Sequence, residues 1–181
     1  NYFLMVSDIY IQKNIQIVID ALSIVTKKFP QVRLLVAGRI IDKKYYEDIK
    51  SQIKDLELEN NIEFLGSVNQ EELKKLYKSC RAFVFSSTAE AFGNPLLEAM
   101  ASGCAVISSN TSAMPEIGGD SVLYFPPKDL SKLVLNMEKV MTNDTLCKDL
   151  SESAIKRSKL FSWMKTAEKT GKVLIKVTKN Y

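Results

Sequence analysis

The sequence predicts an α/β domain: a single Rossmann-like, doubly wound parallel sheet with helices on both faces and a helical carboxyl-terminal extension. Three observations predict it. Short runs such as Tyr2-Phe3-Leu4-Met5-Val6 and Ala82-Phe83-Val84-Phe85 are apolar throughout, as strands covered on both faces are. Segments of helical period separate these runs, in the order β-α-β-α-β-α-β-α-β-β-α-α-α. The length of 181 residues, with 46% apolar and 25% charged residues, suits one domain with a full core.

Each element has its own signal. Tyr2–Val6 is the first strand. Apolar residues at 15, 18, 19, 22, 25 and 29 mark a helix from Asn14 to Phe29, stopped by Pro30. Val32–Ala37 is a strand stopped by Gly38, and Lys43–Leu58 is a charged helix. Ile62–Leu65 is a strand closed by Gly66. Asn69 and Glu72 form a capping box that opens a helix to about Ser79. After the strand Ala82–Phe85, Pro95 begins a helix that runs to Ala101 and ends at Gly103. Ala105–Ile107 and Val122–Phe125 are the last strands. From Asp129 to Val177 the period is helical, with breaks near Thr142-Asn143 and at Phe161-Ser162, where Ser162 reads as an N-cap. Phe161 and Trp163 read as core anchors of the last helix.

Composition removes whole classes of chemistry. The chain has no histidine, which excludes Ser-His-Asp and Cys-His sites and His-ligated metals within it. Cys80, Cys104 and Cys147 match no zinc or redox spacing, and so sparse a set fits a reducing compartment. No apolar run reaches the roughly 18 residues of a membrane span. The opening Asn1-Tyr2-Phe3 is not a signal peptide and reads as the start of an excised domain. Residues 155–181 carry eight Lys/Arg and one acid within a net charge of +4, so the rest of the chain is net acidic. The lysines fall three to four apart among apolar residues, as on the solvated face of an amphipathic helix; an anionic membrane surface is the second reading. Aromatic interleaving is missing, so nucleic acid is not an expected partner.

The segment from Ser86 to Gly103 is where chemistry concentrates. A small polar loop leads into a helix with no acid ahead of Glu98, and free N–H groups around Gly93 to Leu97 would make its start an anion site. Glu98 can reach a ligand at that mouth, and carboxylates suit the diols of a sugar or ribose. Glu90 stands on the loop opposite. The plain alternative is two solvated glutamates beside an ordinary helix. No GxGxxG or GxxxxGK[ST] loop is present, so dinucleotide and P-loop fingerprints are lacking.

The run Glu90-Ala91-Phe92-Gly93-Asn94-Pro95-Leu96-Leu97-Glu98 closely resembles the Glu-x7-Glu signature of group 1 (family 4) glycosyltransferases of the GT-B fold. Lys13-Asn14, Val36-Ala37-Gly38, Ile62–Gly66, Ala105–Asn110, Met114-Pro115-Glu116 with Gly119, and Phe161-Ser162-Trp163 follow that family's order along nearly the whole chain. The resemblance implies the carboxyl-terminal, donor-binding half of a two-domain retaining enzyme, whose amino-terminal acceptor domain is a partner outside this sequence. The helix of residues 162–181 would pack on that domain. The ligand it implies is a nucleoside-diphosphate sugar, as substrate, with no metal and no cofactor. It implies a cytoplasmic place, with peripheral contact at the inner membrane face open to the full protein.

The same resemblance distributes roles. Glu90 would face the donor sugar, and Lys13 would pair with the diphosphate and offset charge on the leaving group. Glu98 would bind the ribose hydroxyls. The backbone at Phe92, Gly93, Asn94 and Leu97 would cradle the diphosphate. Gly38 would let the chain approach the ligand, and Leu65, Gly66 and Val68 would line the base pocket. Two positions depart from the family. Ser7-Asp8 replaces a usual Gly-Arg or Gly-Ser, which puts an acid beside the diphosphate, with Arg39 the candidate to restore the charge. Ala91 replaces a glycine, at a cost of about 1 kcal/mol if its φ is positive. A non-catalytic nucleotide-binding module with a degraded diphosphate site is the alternative function. A receiver-like regulator is a third, although the acidic strand-end cluster it needs is not seen.

Overall fold

The computed structural model describes residues 1–178. Six parallel strands, β1 (Tyr2–Val6), β2 (Arg33–Ala37), β3 (Ile62–Gly66), β4 (Ala82–Phe85), β5 (Val106–Ser109) and β6 (Leu123–Phe125), pair in the order β3-β2-β1-β4-β5-β6. That is the doubly wound Rossmann order, whose switch point falls between β1 and β4. A receiver-like sheet has the order 2-1-3-4-5, so this topology removes the third reading.

Alternation along each strand fills two cores. Phe3, Met5, Leu34, Val36, Val84 and Ile107 face one layer, built chiefly with α1 (Ile15–Val25), α2 (Lys43–Asp55) and α6 (Leu130–Thr142). Leu4, Leu35, Phe83, Phe85 and Val106 face the other, with α3 (Gln70–Ser79), α4 (Asn94–Ala101) and α5 (Met114–Gly118). Helix α7 (Asp144–Ser158) contributes Ala154 to this second layer, and α8 (Trp163–Thr178) ends the described chain. No described helix is long and apolar enough to cross a membrane.

Several boundaries move, each for a local reason. The helix expected to reach Phe29 ends at Val25, because Lys28 and Phe29 turn back onto the Val25 carbonyl (3.1 and 3.0 Å) and lay Phe29 on the core. The helix expected to reach Leu58 ends at Asp55; a left-handed Glu57 (φ 56°) then swings Leu58 inward. β5 starts and ends later than expected, because Ser108 and Ser109 bury their hydroxyls on backbone carbonyls. A short helix, α5, occupies what reads as a loop, with Pro115 in its first turn. The capping box at Asn69 and Glu72 forms as its spacing predicts, and the Ser162 hydroxyl accepts the Lys165 N–H (3.2 Å).

The last helix departs most. Phe161 packs edge-on against Phe92, with centroids 6.1 Å apart, but Trp163 is not a core anchor: it is 81% exposed, and no residue of α8 is buried. Once the chain leaves α7, the sheet has no further face for α8 to cover. Lys179, part of the basic tail, and the end of the expected 162–181 helix lie outside the described residues.

Candidate ligand site at the switch point

The switch point brings two loops together. After β1 the chain makes a 3-10 turn (Ile11–Lys13) and a left-handed Asn14 (φ 51°), whose side-chain amide donates to the Pro127 carbonyl (2.9 Å). After β4, the Ser86 hydroxyl donates to the Lys13 carbonyl (2.7 Å), and the Thr88 N–H donates to the Gln12 carbonyl (2.8 Å). The Ser109 hydroxyl, from the end of β5, holds the Ser87 carbonyl (2.6 Å). These bonds fix the backbone from which the charged side chains project.

Lys13 and Glu90 meet here as a hydrogen-bonded ion pair. Lys13 is 9% exposed, and its ammonium also lies 5.1 Å from the centre of the Tyr10 ring. Burial works against the ammonium, but hydrogen bonds involving Glu90 and Tyr10 outweigh it and hold the Lys13 pKa above its usual value. The resemblance put these two groups on different parts of a donor; in the structure they satisfy one another.

Gly93 sets the start of α4. It adopts φ 89°, a left-handed conformation that favours glycine, and a Cβ there would stand 2.7 Å from Met114 Cε. No side chain caps the helix, and its first turn holds no acid. The expected run of free N–H groups is narrower than Gly93 to Leu97: Leu96 and Leu97 both donate to the Gly93 carbonyl (3.0 and 3.3 Å), and Pro95 has no N–H. Gly93 and Asn94 then carry the open donors at this mouth. Leu97 borders the site through its half-buried side chain, and Phe92 is 41% exposed beside it.

Glu98 stands exposed one turn along α4, and its carboxylate accepts the Tyr77 hydroxyl (3.2 Å). Tyr77, only 3% exposed, is a site-supporting residue that sequence reasoning missed, since on α3 it reads as an ordinary apolar position. A cavity of about 380 Å³ runs beside α4, between Phe92, Leu97 and Glu98 and the Phe161-to-Trp163 segment.

The departures resolve structurally. Asp8 Oδ1 accepts the Arg39 backbone N–H (2.9 Å) and Nε (3.3 Å), and Oδ2 accepts a guanidinium N–H (2.8 Å). These bonds, with the nearby charges of Arg39 and Lys13, hold the Asp8 carboxyl below the usual carboxylate range. Asp8 is therefore neutralised by the residue expected to replace the missing arginine. Ala91 is not among the described residues of positive φ, so it carries no such strain. Ser7, the other half of that departure, keeps a buried hydroxyl without a partner at the end of β1.

The remaining predicted positions lie further out. Gly38 makes its close approach to this chain rather than to open space: a Cβ would fall 1.9 Å from the Ser7 carbonyl oxygen. Leu65, Gly66 and Val68 stand at the carboxyl end of edge strand β3, where Gly66 (φ 67°) accepts the Gly38 N–H (2.8 Å) and faces open space. Gly66 is joined to Gly38, and none of the three bonds to the Lys13–Glu90 pair.

Comparison with known proteins gives a consistent family. Residues 1–157 match the family model for glycosyl transferases group 1. The chain is 32% identical over 157 residues to the serotype-specific mannosyltransferase WbdA of Escherichia coli, covering 86% of this chain and 19% of that protein. It is 32% identical over 164 residues to mannosylfructose-phosphate synthase of Agrobacterium fabrum, covering 86% of this chain and 36% of that one. The chain thus spans well under half the length of these relatives. Among solved structures, Anabaena HepE in complex with UDP and glucose superposes with a TM-score of 0.87 at 23% identity, over 97% of this chain and 48% of that one, a likeness of fold. The carboxyl-terminal domain of a group 1 glycosyl transferase, LpcC from Francisella tularensis, superposes at 0.79 with 26% identity, over 88% of this chain and 85% of that one.

Proposed function

The chain belongs to the group 1 glycosyltransferases, and from that premise we propose that it is the donor-binding domain of a retaining enzyme that moves a hexose from a nucleoside-diphosphate sugar to an acceptor. The observation that carries this reading is the convergence at the switch point: Lys13 from the loop after β1, and Glu90, Gly93 and Glu98 from the segment after β4. A diphosphate would take the Lys13 ammonium and the Gly93 and Asn94 N–H groups. Glu90, released from Lys13, would turn to the sugar, and Glu98 to the ribose. Lys13 and the start of α4 would stabilise charge on the departing diphosphate. Neither a protein nucleophile nor a metal enters this scheme, in which the leaving phosphate helps to deprotonate the acceptor.

The acceptor would belong to a preceding domain, and α8 is its natural dock. Lys165, Lys169, Lys172 and Lys176 lie along one face of α8, while Trp163, Leu174 and Val177 expose apolar surface (81%, 61% and 50%) on another. A membrane surface is the second candidate for that face. The alternative of a non-catalytic module rested on Asp8 and Ala91; the Asp8–Arg39 bonds and the unstrained Ala91 count against it.

The test is a thermal-shift and calorimetric panel of UDP, GDP and ADP with their hexose conjugates, GDP-mannose among the first, with Glu98→Ala as control. Ligand at about 100 times Kd stabilises by about 2.7 kcal/mol, roughly 5–10 °C for this size. A shift confined to one base and lost in Glu98→Ala supports the reading. Silence from both this chain and the full-length protein overturns it.

A further inference from the structure

Cys80 and Cys104 are 24 residues apart in sequence, yet their sulfurs lie 3.7 Å apart. Cys80 is the C-cap of α3, and Cys104 lies in the turn between α4 and β5. Both sulfurs sit on one acceptor, the Tyr77 carbonyl, at 3.3 and 2.9 Å. The ring end of the same tyrosine donates its hydroxyl to Glu98 (3.2 Å). One residue therefore links a thiol pair to a carboxylate of the candidate site. Cys147 stands apart, with its thiol on the Val140 carbonyl (3.3 Å).

We infer that Cys80 and Cys104 are a reversible disulfide site, oxidised by low-molecular-weight disulfides of the glutathione class, and that its state governs how Tyr77 holds Glu98. The second half rests on the donor reading above; the cross-link does not. Cys80 is half-buried and meets the reagent first. Its thiolate attacks one sulfur of oxidised glutathione and releases one glutathione thiolate. Cys104, only 3% exposed, then loses its proton to that thiolate and attacks the Cys80 sulfur, releasing the second glutathione. One disulfide is consumed and one made, and two electrons pass from the cysteines to glutathione. A disulfide spans about 2.05 Å, so the end of α3 and the turn before β5 must draw together, and the Tyr77 carbonyl loses both S–H donors. The hydrogen bond to Cys80, together with burial, holds the Cys104 pKa far above its usual value, which makes the second step the slow one.

The chain is incubated with oxidised glutathione, then followed by intact mass, thiol titration in denaturant and peptide mapping. Free thiols should fall from the three of the sequence to one, with a mass loss of two hydrogens, a Cys80–Cys104 peptide and reversal by dithiothreitol. Cys147→Ser should leave the cross-link intact, and Cys80→Ser should abolish it. UDP or GDP affinity should differ about threefold or more between the two forms, and Tyr77→Phe should remove the difference. A persistent glutathione adduct on Cys80, or a cross-link through Cys147, overturns the site, and the wild-type mass decides this even if a variant fails to fold. A cross-link with unchanged affinity overturns its control of Glu98. Nucleotides silent on both forms of this chain and on the full-length protein refute the donor reading and, with it, the control of Glu98, while the mass still decides the cross-link.

Discussion

Lys13 and Glu90, 77 residues apart in sequence, form an ion pair across the switch point of the sheet. Each side chain is mostly buried, at 11% and 18% exposed, so each is the other's chief source of solvation.

Lys13→Ala leaves Glu90 without that partner. Breaking a fully buried pair costs about 3–5 kcal/mol; one side of this site is open, so about 2 kcal/mol is expected, read as a fall in Tm. Binding of the cognate nucleoside diphosphate should weaken by at least about tenfold. The raised Lys13 pKa stabilises the fold below the free-lysine value near 10.5 and ceases to do so as pH climbs through the higher folded value. Chemical denaturation from pH 6 to 9 should show no contribution from this group that varies with pH.

Asp8 has the opposite sign. Its lowered pKa stabilises the fold above the free-aspartate value near 3.9, and the contribution fades as pH falls through the lower folded value. The pair with Arg39 is largely solvent-exposed, so Asp8→Asn should cost only about 0.2–1 kcal/mol. The difference between wild type and variant should shrink as acid denaturation is carried below the free-aspartate value and vanish once pH lies below the lowered folded value. A difference that grows as pH falls would contradict the pairing.

Gly93→Ala tests the start of α4. A left-handed alanine costs about 1–2 kcal/mol, and the added Cβ must also displace Met114, 2.7 Å away. Lower stability and weaker anion binding should appear together. Combining the change with Met114→Ala should recover part of the stability but not the backbone strain.

Trp163 is the only tryptophan in the chain and is 81% exposed. Its emission should lie near that of tryptophan in water and be quenched readily by acrylamide. In the full-length protein the Trp163 contribution, isolated as the difference from Trp163→Phe, should lie to the blue and be quenched less. Unchanged fluorescence there would refute α8 as the docking surface.

Much of the fold is legible because its signals are local. A capping box, a proline in the first turn, or an apolar tetrapeptide acts within a few residues, and β1, β4, α3 and α4 appear nearly where such signals put them. The ends of α1 and α2 are less legible, since Phe29 and Leu58 are apolar at helical spacing whether helix or turn delivers them to the core. Trp163 misleads for the same reason: an apolar residue at the right spacing does not say whether a partner surface exists.

The sequence alone determined the class of sheet, its approximate elements and the lack of histidine in this chain; it singled out Glu90 and Glu98 by their pattern and Lys13 by the family resemblance. Only the tertiary structure decided what each charge faces. Asp8 is bound to Arg39, Lys13 to Glu90, and Glu98 to a tyrosine whose carbonyl also holds two thiols. The physical reason is range. Backbone preference and capping act over a turn, whereas an ion pair or a hydrogen bond between side chains depends on which strand ends the sheet order brings together, and that order is a property of the packed molecule.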